Sequence, residues 1–381
     1  MKKPRDSIAS IADLRAKAHK RVPFPFMDYV ENGAFAELTL ERNRRDLDAI
    51  ELRQRVMCDV SKRKLETRML GERVAMPVAL APVGLCGGVW PNGEILSCRA
   101  AQEFGVPFPL STNALLSIED VAKSVAAPFW FQLYLTRDRG FSEELINRAN
   151  AANCSALILT MDLHVEGTRY RDLHNGLGIP PRLTAANIWS IVSHPRWAFR
   201  MLGSKRWTFG NYKGRVNPAD IKEMAKLVKA QLDSSFDHRT LQWVRGLWPG
   251  KLIVKGILDA DDARIAVDCG ADAVLVSNHG GRQLDSASST AAILPEIVDA
   301  VGDRTELFVD GGVRSGLDVL KFLGLGAKAC FIGRAYLYGL GAFGEAGVGK
   351  ALEILRDELD TAMALAGVTD ASAVPRTVIK R

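Results

Sequence analysis

Eight short apolar runs, separated for the most part by segments of helical spacing, constrain this chain more than any other feature. They are VALAP (78–82), FPLSTN (108–113), FWFQLY (129–134), ALILTMD (156–162), LIVKGI (252–257), AVLVSNHG (273–280), ELFVDGG (306–312) and ACFIGRA (329–335). Continuous apolar strands alternating with helices, such as those predicted around Ile118–Ala122 and Ala260–Cys269, imply a parallel sheet covered by helices. Eight such units predict an α/β fold, a (β/α)8 TIM barrel. The start-to-start spacings are 30, 21, 27, 96, 21, 33 and 23 residues, so a long insertion follows the fourth strand. The expected organisation of the whole chain, 1–381, is one domain. Residues 1–75 form an N-terminal helical segment with a stop at Asn32-Gly33. The barrel spans 76–345, with an insertion region at 163–245. A C-terminal amphipathic helix lies within 346–381 and ends at Gly367.

The runs end in polar residues, often two apart: Ser111 with Asn113, Gln132 with Tyr134, Thr160 with Asp162, Ser277 with His279, and Lys255 alone. Residues two apart share a face of a strand. Active sites of such barrels lie at the C-terminal strand ends. These residues therefore make one candidate site.

The formal net charge is +6 and the hydrophobic fraction 47%, the balance of a globular protein rather than a disordered one. The six cysteines are scattered without a C-x-x-C, which fits a reducing compartment. The basic N-terminal stretch lacks the apolar run of a secretory signal, and no run is long enough to span a bilayer. No H-x-H or H-E-x-x-H occurs among the six histidines, so no catalytic metal is expected.

The seventh run leads into Asp310-Gly311-Gly312-Val313-Arg314, and the eighth into Gly333-Arg334. Glycines let a backbone approach an anion, and the loops after strands seven and eight are the usual phosphate site of this fold. Gly339-Leu340-Gly341-Ala342-Phe343-Gly344 matches G-x-G-x-x-G, but it sits inside an expected helix. Helix packing, not a dinucleotide, is its expected role. At the other end of the site, His279 is a candidate base and Arg282 a candidate clamp for a carboxylate. Asp162 is placed to orient the imidazole. Lys255 supplies a fixed cation where negative charge develops. Base, clamp and cation suit proton removal beside a carboxylate, with electrons passed to a cofactor.

SNHGGRQLD (277–285) resembles the signature of the FMN-dependent α-hydroxy acid dehydrogenases and oxidases. The likeness extends through MDYVENGA (27–34), LAPVGL (80–85), LST (110–112), WFQLY (130–134), LTMD (159–162), IVKGI (253–257), DGGVRSG (310–316) and IGRA (332–335). It implies FMN as cofactor and a small L-2-hydroxy acid as substrate. His279 becomes the base, Asp162 its partner, and Tyr134 a hydrogen-bond partner of the substrate oxygen. Tyr29, Arg169 and Arg282 bind the substrate carboxylate. Lys255 lies against the flavin N1–O2 edge. Ala81, Pro82, Val83, Ser111, Gln132, Thr160 and Ser277 surround the ring system. Asp310, Gly311, Gly312, Arg314, Gly333 and Arg334 hold ribityl and phosphate. A homotetramer is also implied.

Gly84 after Ala81-Pro82-Val83, where glycolate oxidases carry alanine, leaves room for a side chain larger than that of glycolate. L-Lactate is the expected substrate; (S)-mandelate and an oxygen-using oxidase are the alternatives, with a non-catalytic FMN barrel more remote. Within the insertion, residues 180–215 hold Arg182, Arg196, Arg200, Lys205, Arg206, Lys213 and Arg215 without an acid. Trp189, Trp197, Phe199, Trp207, Phe209 and Tyr212 are interleaved with them. Such a segment suits an anionic membrane surface. It is expected to dock the protein on the cytoplasmic face of the inner membrane, with electrons leaving to quinone or a cytochrome. A lid over the site is the plainer alternative, a wholly cytoplasmic protein is the other location, and nucleic acid is not expected.

Overall fold

A computed structural model describes residues 7–176, 184–204, 209–215 and 232–380. All eight runs are strands: β1 (Val78–Leu80), β2 (Pro109–Ser111), β3 (Trp130–Tyr134), β4 (Ala156–Thr160), β5 (Lys251–Ile257), β6 (Ala273–Val276), β7 (Glu306–Val309) and β8 (Ala329–Ile332). They form one parallel sheet in which β1 neighbours β8 and each later strand neighbours the next. The Leu80 N–H donates to the carbonyl of Pro107, just before β2, at 3.0 Å, which brings the two ends of the sheet together into a near-closed barrel.

Strand parity sorts the side chains. Ala79, Trp130, Ile158, Ile253, Leu275, Phe308 and Phe331 pack together inside the barrel. Their neighbours in sequence, such as Phe131, Leu157, Val254 and Val274, face the helices. The period of two then carries Gln132, Tyr134, Thr160, Lys255, Ser277 and Asp310 inward at the open, C-terminal mouth.

The N-terminal segment departs from the helical expectation. Helices α1 (Ile11–His19), α2 (Phe24–Glu31) and α3 (Leu38–Ala49) form, and Asn32 ends α2. Beyond them, Thr67–Met69 and Glu72–Val74 pair as an antiparallel hairpin. Its turn, Leu70-Gly71, has both φ angles positive (53° and 87°), which few non-glycine residues tolerate. Met69 and Val74 join the inner barrel cluster, and Leu70 N–H donates to Glu306 at the start of β7. The hairpin therefore plugs the bottom of the barrel.

The C-terminal helix runs from Glu345 to Ala366 and ends at Gly367 in the left-handed conformation. The G-x-G-x-x-G stretch lies in and just after the helix Arg334–Phe343. A Cβ on Gly339 would meet the Gly347 carbonyl at 2.2 Å, so the glycine serves close helix packing. The insertion after β4 contributes helices Tyr170–His174, Ala185–Val192, Pro195–Leu202 and His238–Leu247.

Candidate active site

Two chains of hydrogen bonds line the barrel mouth. Ser111 Oγ donates to Gln132 Oε1 (2.8 Å), and Gln132 Nε2 donates to Thr160 Oγ1 (2.9 Å). Across the mouth, Lys255 Nζ donates to Ser277 Oγ (2.7 Å) and lies 3.3 Å from Asp310 Oδ2. All six of these side chains are buried. A buried cation is costly unless paired, and here Asp310 pairs it. Ala81 continues β1 by donating its N–H to Ile332 at 2.8 Å, with Pro82 and Val83 following at the same end.

His279 sits one step beyond Ser277, whose Oγ accepts the His279 N–H at 3.0 Å. Its φ of 56° turns the imidazole back across the mouth. There Nδ1 lies 3.0 and 3.1 Å from the two oxygens of Asp162, and Nε2 lies 3.3 Å from the Tyr134 hydroxyl. An Nδ1–H held by a carboxylate leaves Nε2 as the free proton acceptor. Burial works to raise the Asp162 carboxyl, but its interactions with His279 and with the Lys255 ammonium outweigh that and hold it below the ordinary carboxylate value. Burial, and then the charge of Asp162, push the Tyr134 hydroxyl well above the usual tyrosine value, so it remains a phenol.

The arginines are present but engaged. Arg282 donates to the carbonyls of Tyr29 (2.7 Å) and Asn32 (3.1 Å) and to Asn32 Oδ1 (2.5 Å), with its guanidinium 4.8 Å from the centre of the Tyr29 ring. Arg169 pairs with Asp172 at 2.6 Å and with Glu166. Burial lowers the Arg282 pKa, and the nearby Arg169 lowers it further. Neutral carbonyls do not cancel this charge, which is the state of a clamp awaiting an anion.

At the phosphate end the same imbalance recurs. Burial pushes Arg334 down to about 9, with Arg314 and Arg282 adding repulsion. Burial also lowers Arg314. Arg334 donates to the carbonyls of Val30, Gly280 and Asn32, and Arg314 to that of Val313. Asp310 Oδ1 is buried without a hydrogen-bond partner among the described residues. An orphaned acceptor after β7, together with buried guanidiniums bonded to neutral carbonyls, fits a ligand carrying both hydroxyls and phosphate, as the ribityl phosphate of FMN does. Gly311 and Gly312 have a second reason to be glycine. A Cβ on either would strike Thr290 Oγ1 (2.8 Å) or the Asn43 carbonyl (2.6 Å). Gly333, by contrast, meets nothing closer than 3.8 Å and leaves its loop open.

The pairings of several positioning residues are not visible in the sequence. Asn43 on α3 and Asn278 exchange reciprocal amide hydrogen bonds of 2.9 and 2.8 Å, pinning the His279 loop. Gln283 Nε2 donates to the Asp162 carbonyl at 2.7 Å. Asn32 bonds both Arg282 and Asp172, linking the two arginine clusters. These partners stand more than a hundred residues apart in the chain, so even where a residue falls in a motif, as Asn32, Asn278 and Gln283 do, its partner is not legible.

A barrel with this mouth defines a class of flavin-dependent oxidoreductase, and comparison with known proteins places the chain within it. Residues 18–381 match the family described as FMN-dependent dehydrogenase, and the chain belongs to that family. It is 45% identical over 375 residues to an L-lactate dehydrogenase of Caulobacter vibrioides, covering 98% of this chain and 97% of the relative. An L-lactate dehydrogenase of Pseudomonas aeruginosa is 45% identical over 362 residues, covering 94% and 95%. Among solved structures, the monotopic membrane protein (S)-mandelate dehydrogenase superposes with a TM-score of 0.93 at 37% identity, covering 98% and 99%. The protein is thus an FMN-dependent dehydrogenase.

Proposed function

We propose that the protein oxidises an L-2-hydroxy acid, L-lactate first, to the 2-oxo acid. The observation that carries this reading is the His279–Asp162 pair beside Tyr134, with Arg169 and Arg282 at the same barrel end. In this reading His279 Nε2 accepts a proton from the substrate, and Asp162 holds the resulting imidazolium. Tyr134 hydrogen-bonds the substrate oxygen. Arg282 exchanges its backbone carbonyls for the substrate carboxylate, Arg169 adds charge, and Tyr29 closes the clamp. FMN, when bound, takes up the two electrons of the oxidation. Lys255 stands ready to balance negative charge at the ring edge. Ser111, Gln132, Thr160 and Ser277 hold the ring with Ala81, Pro82 and Val83, while Asp310, Gly311, Gly312, Arg314, Gly333 and Arg334 hold the ribityl phosphate.

Lactate is favoured by the two named relatives at 45% identity. (S)-Mandelate is the second reading, favoured by the structural likeness and by Gly84. A Cβ at that glycine would stand 3.1 Å from the Asn113 carbonyl, a tight fit that a larger residue meets only if Asn113 shifts. The purified yellow protein should bleach under argon with L-lactate faster than with (S)-mandelate or glycolate. Bleaching by mandelate alone would reverse the assignment, and no bleaching by any of the three would refute the activity. Arg282→Lys keeps the charge but loses the planar fork. Its KM for the acid should rise about 10- to 100-fold, the worth of one charge-assisted bond of about 1.5–3 kcal/mol. Equal KM values would exclude a bidentate contact.

We further infer that the insertion docks the protein on an anionic membrane, at the cytoplasmic face, with quinone or a cytochrome as acceptor. Among the described residues no helix is long and apolar enough to cross a membrane. Two of the insertion helices, Ala185–Val192 and Pro195–Leu202, expose Trp189 (73%), Val192 (62%), Phe199 (75%) and Leu202 (75%). Apolar side chains this exposed on adjoining helices suit an interface with lipid. Other members of the basic–aromatic stretch are engaged within the protein. Trp197 and Tyr212 are buried, and Arg215 pairs with Asp138 and Glu144. Asn211 is hydrogen-bonded to Thr112 and Ile118, which fastens 209–215 to the barrel. Arg182, Lys205, Arg206 and Trp207 lie outside the described residues. Replacing Trp189, Phe199 and Leu202 together by serine should move the protein from the membrane to the soluble fraction with turnover intact. A parent protein already soluble at low salt would refute docking.

A further inference from the structure

Beside the exposed helices lies a cleft of about 390 Å³ that the proposed reaction does not use. Lys17 on α1, Lys20 and Arg21 just after it, and His194, Arg196 and Arg200 from the insertion line it. None of its Lys or Arg side chains has a carboxylate partner among the described residues, although the surrounding surface is rich in ion pairs. Arg21 and Arg200 are held in place by aromatic faces, 4.7 Å from the Phe343 ring centre and 4.1 Å from that of Trp90. Arg21 also donates to the Ala342 carbonyl. Burial lowers its pKa, and the charges of Arg200 and Arg196 lower it further. Trp197, part of the same lining, is 5% exposed, and its indole N–H is buried without an acceptor among the described residues. Buried donors are rarely left so. Five cations around one cavity, two of them held by aromatic faces, are complementary to a compact anion.

The surroundings indicate where that anion comes from. Val192 directly precedes Ser193 in the lining, and Phe199 stands between Arg196 and Arg200 in the chain. Both are among the most exposed apolar side chains of the molecule. An anion bound here lies at the edge of an apolar surface, the arrangement of a phospholipid headgroup with its acyl chains alongside. We propose that this cleft is a binding site for the phosphate of an anionic phospholipid, seated when the insertion helices rest on the membrane. The proposal rests on the membrane-docking reading above. It adds to it one cleft that selects the lipid, in place of charge spread over the surface.

The test is flotation of the FMN-loaded protein with phosphatidylcholine vesicles, with and without phosphatidylglycerol. The parent should prefer the phosphatidylglycerol vesicles. Lys20→Glu/Arg196→Glu should weaken that partition by roughly 25-fold or more, since each basic residue near an anionic surface contributes about fivefold. Reversal of two exposed lysines elsewhere, Lys62→Glu/Lys123→Glu, should cost about twofold or less at physiological salt. Dye-linked turnover without vesicles should be unchanged in all of them. If the reversed variant proves unstable, Lys20→Gln/Arg196→Gln should still lose about 25-fold. Equal losses at the cleft and the control positions would overturn the proposal in favour of diffuse attraction. Equal binding of the parent to both kinds of vesicle would overturn the cleft while leaving membrane docking intact. Failure to bind either kind would overturn both.

Discussion

His279→Gln should keep FMN and lose about 10²- to 10⁴-fold in kcat, the usual share of a general base. The amide cannot take the proton that Nε2 is placed to accept. Of the residues proposed to hold the cofactor, Ser111, Gln132, Thr160, Arg314 and Gly333 lie on or follow other strands, so the cofactor should stay. The same variant should be more sensitive to acid. In the parent, Asp162 titrates below its ordinary value because His279 and Lys255 outweigh burial. A carboxylate depressed on folding stabilises the protein above its unfolded pKa of about 3.9, and that stability is lost as the pH falls through the folded value. Without the imidazolium the Asp162 pKa rises and the window of lost stability moves to higher pH. Stopped-flow reduction by L-lactate checks the first effect, and acid unfolding followed by flavin fluorescence the second. Retention of more than a few per cent of parent turnover would remove His279 as the base.

Gly256→Ala should damage the site without touching a reacting group. Gly256 lies where the register of β5 slips against β6, between Lys255 and Ile257, and its φ is 99°. A Cβ there would stand 2.6 Å from both Cβ and Cγ of Asp162. A left-handed alanine costs about 1–2 kcal/mol, and the overlap adds to it. The total loss of stability should be about 2–4 kcal/mol. Pushing Asp162 off the imidazole by a fraction of an ångström should cut kcat about 10- to 100-fold. Thermal unfolding and steady-state rates of the FMN-loaded variant measure the two. A stable, fully active Gly256→Ala protein would show that the Asp162 position is not critical.

Much of this architecture is legible in the chain because a barrel strand writes its two faces in alternate residues. Ile158 and Thr160 point inward and Leu157 and Leu159 outward, so polar residues breaking an apolar run reveal the mouth. His279 and Asp162 could be paired on chemistry alone. The hairpin at 67–74 could not, since Leu70-Gly71 is an uncommon pair for that turn and the strands are three residues each. Nor could the state of Arg282, whose carbonyl partners belong to backbone 250 residues away. The basic–aromatic stretch shows a different limit. Trp189 and Trp197 look alike in sequence, yet one is 73% exposed and the other 5%, because α2 supplies Phe26 as a ring neighbour for the second. Periodicity marks an apolar face but does not say whether protein or lipid covers it.

The positive φ of His279 bears on how such proteins diverge. Histidine lies one base change from asparagine and aspartate, the two side chains that accept this backbone angle most readily after glycine. Asparagine would silence the base and ease the backbone angle with the barrel preserved, whereas aspartate would set a second carboxylate against Asp162. Descendants of this gene therefore stand one mutation from a folded, flavin-carrying protein with no dehydrogenase activity. Duplicated copies have a short route to sensing or storage roles, and a sequence survey should find such copies by the residue at this one position.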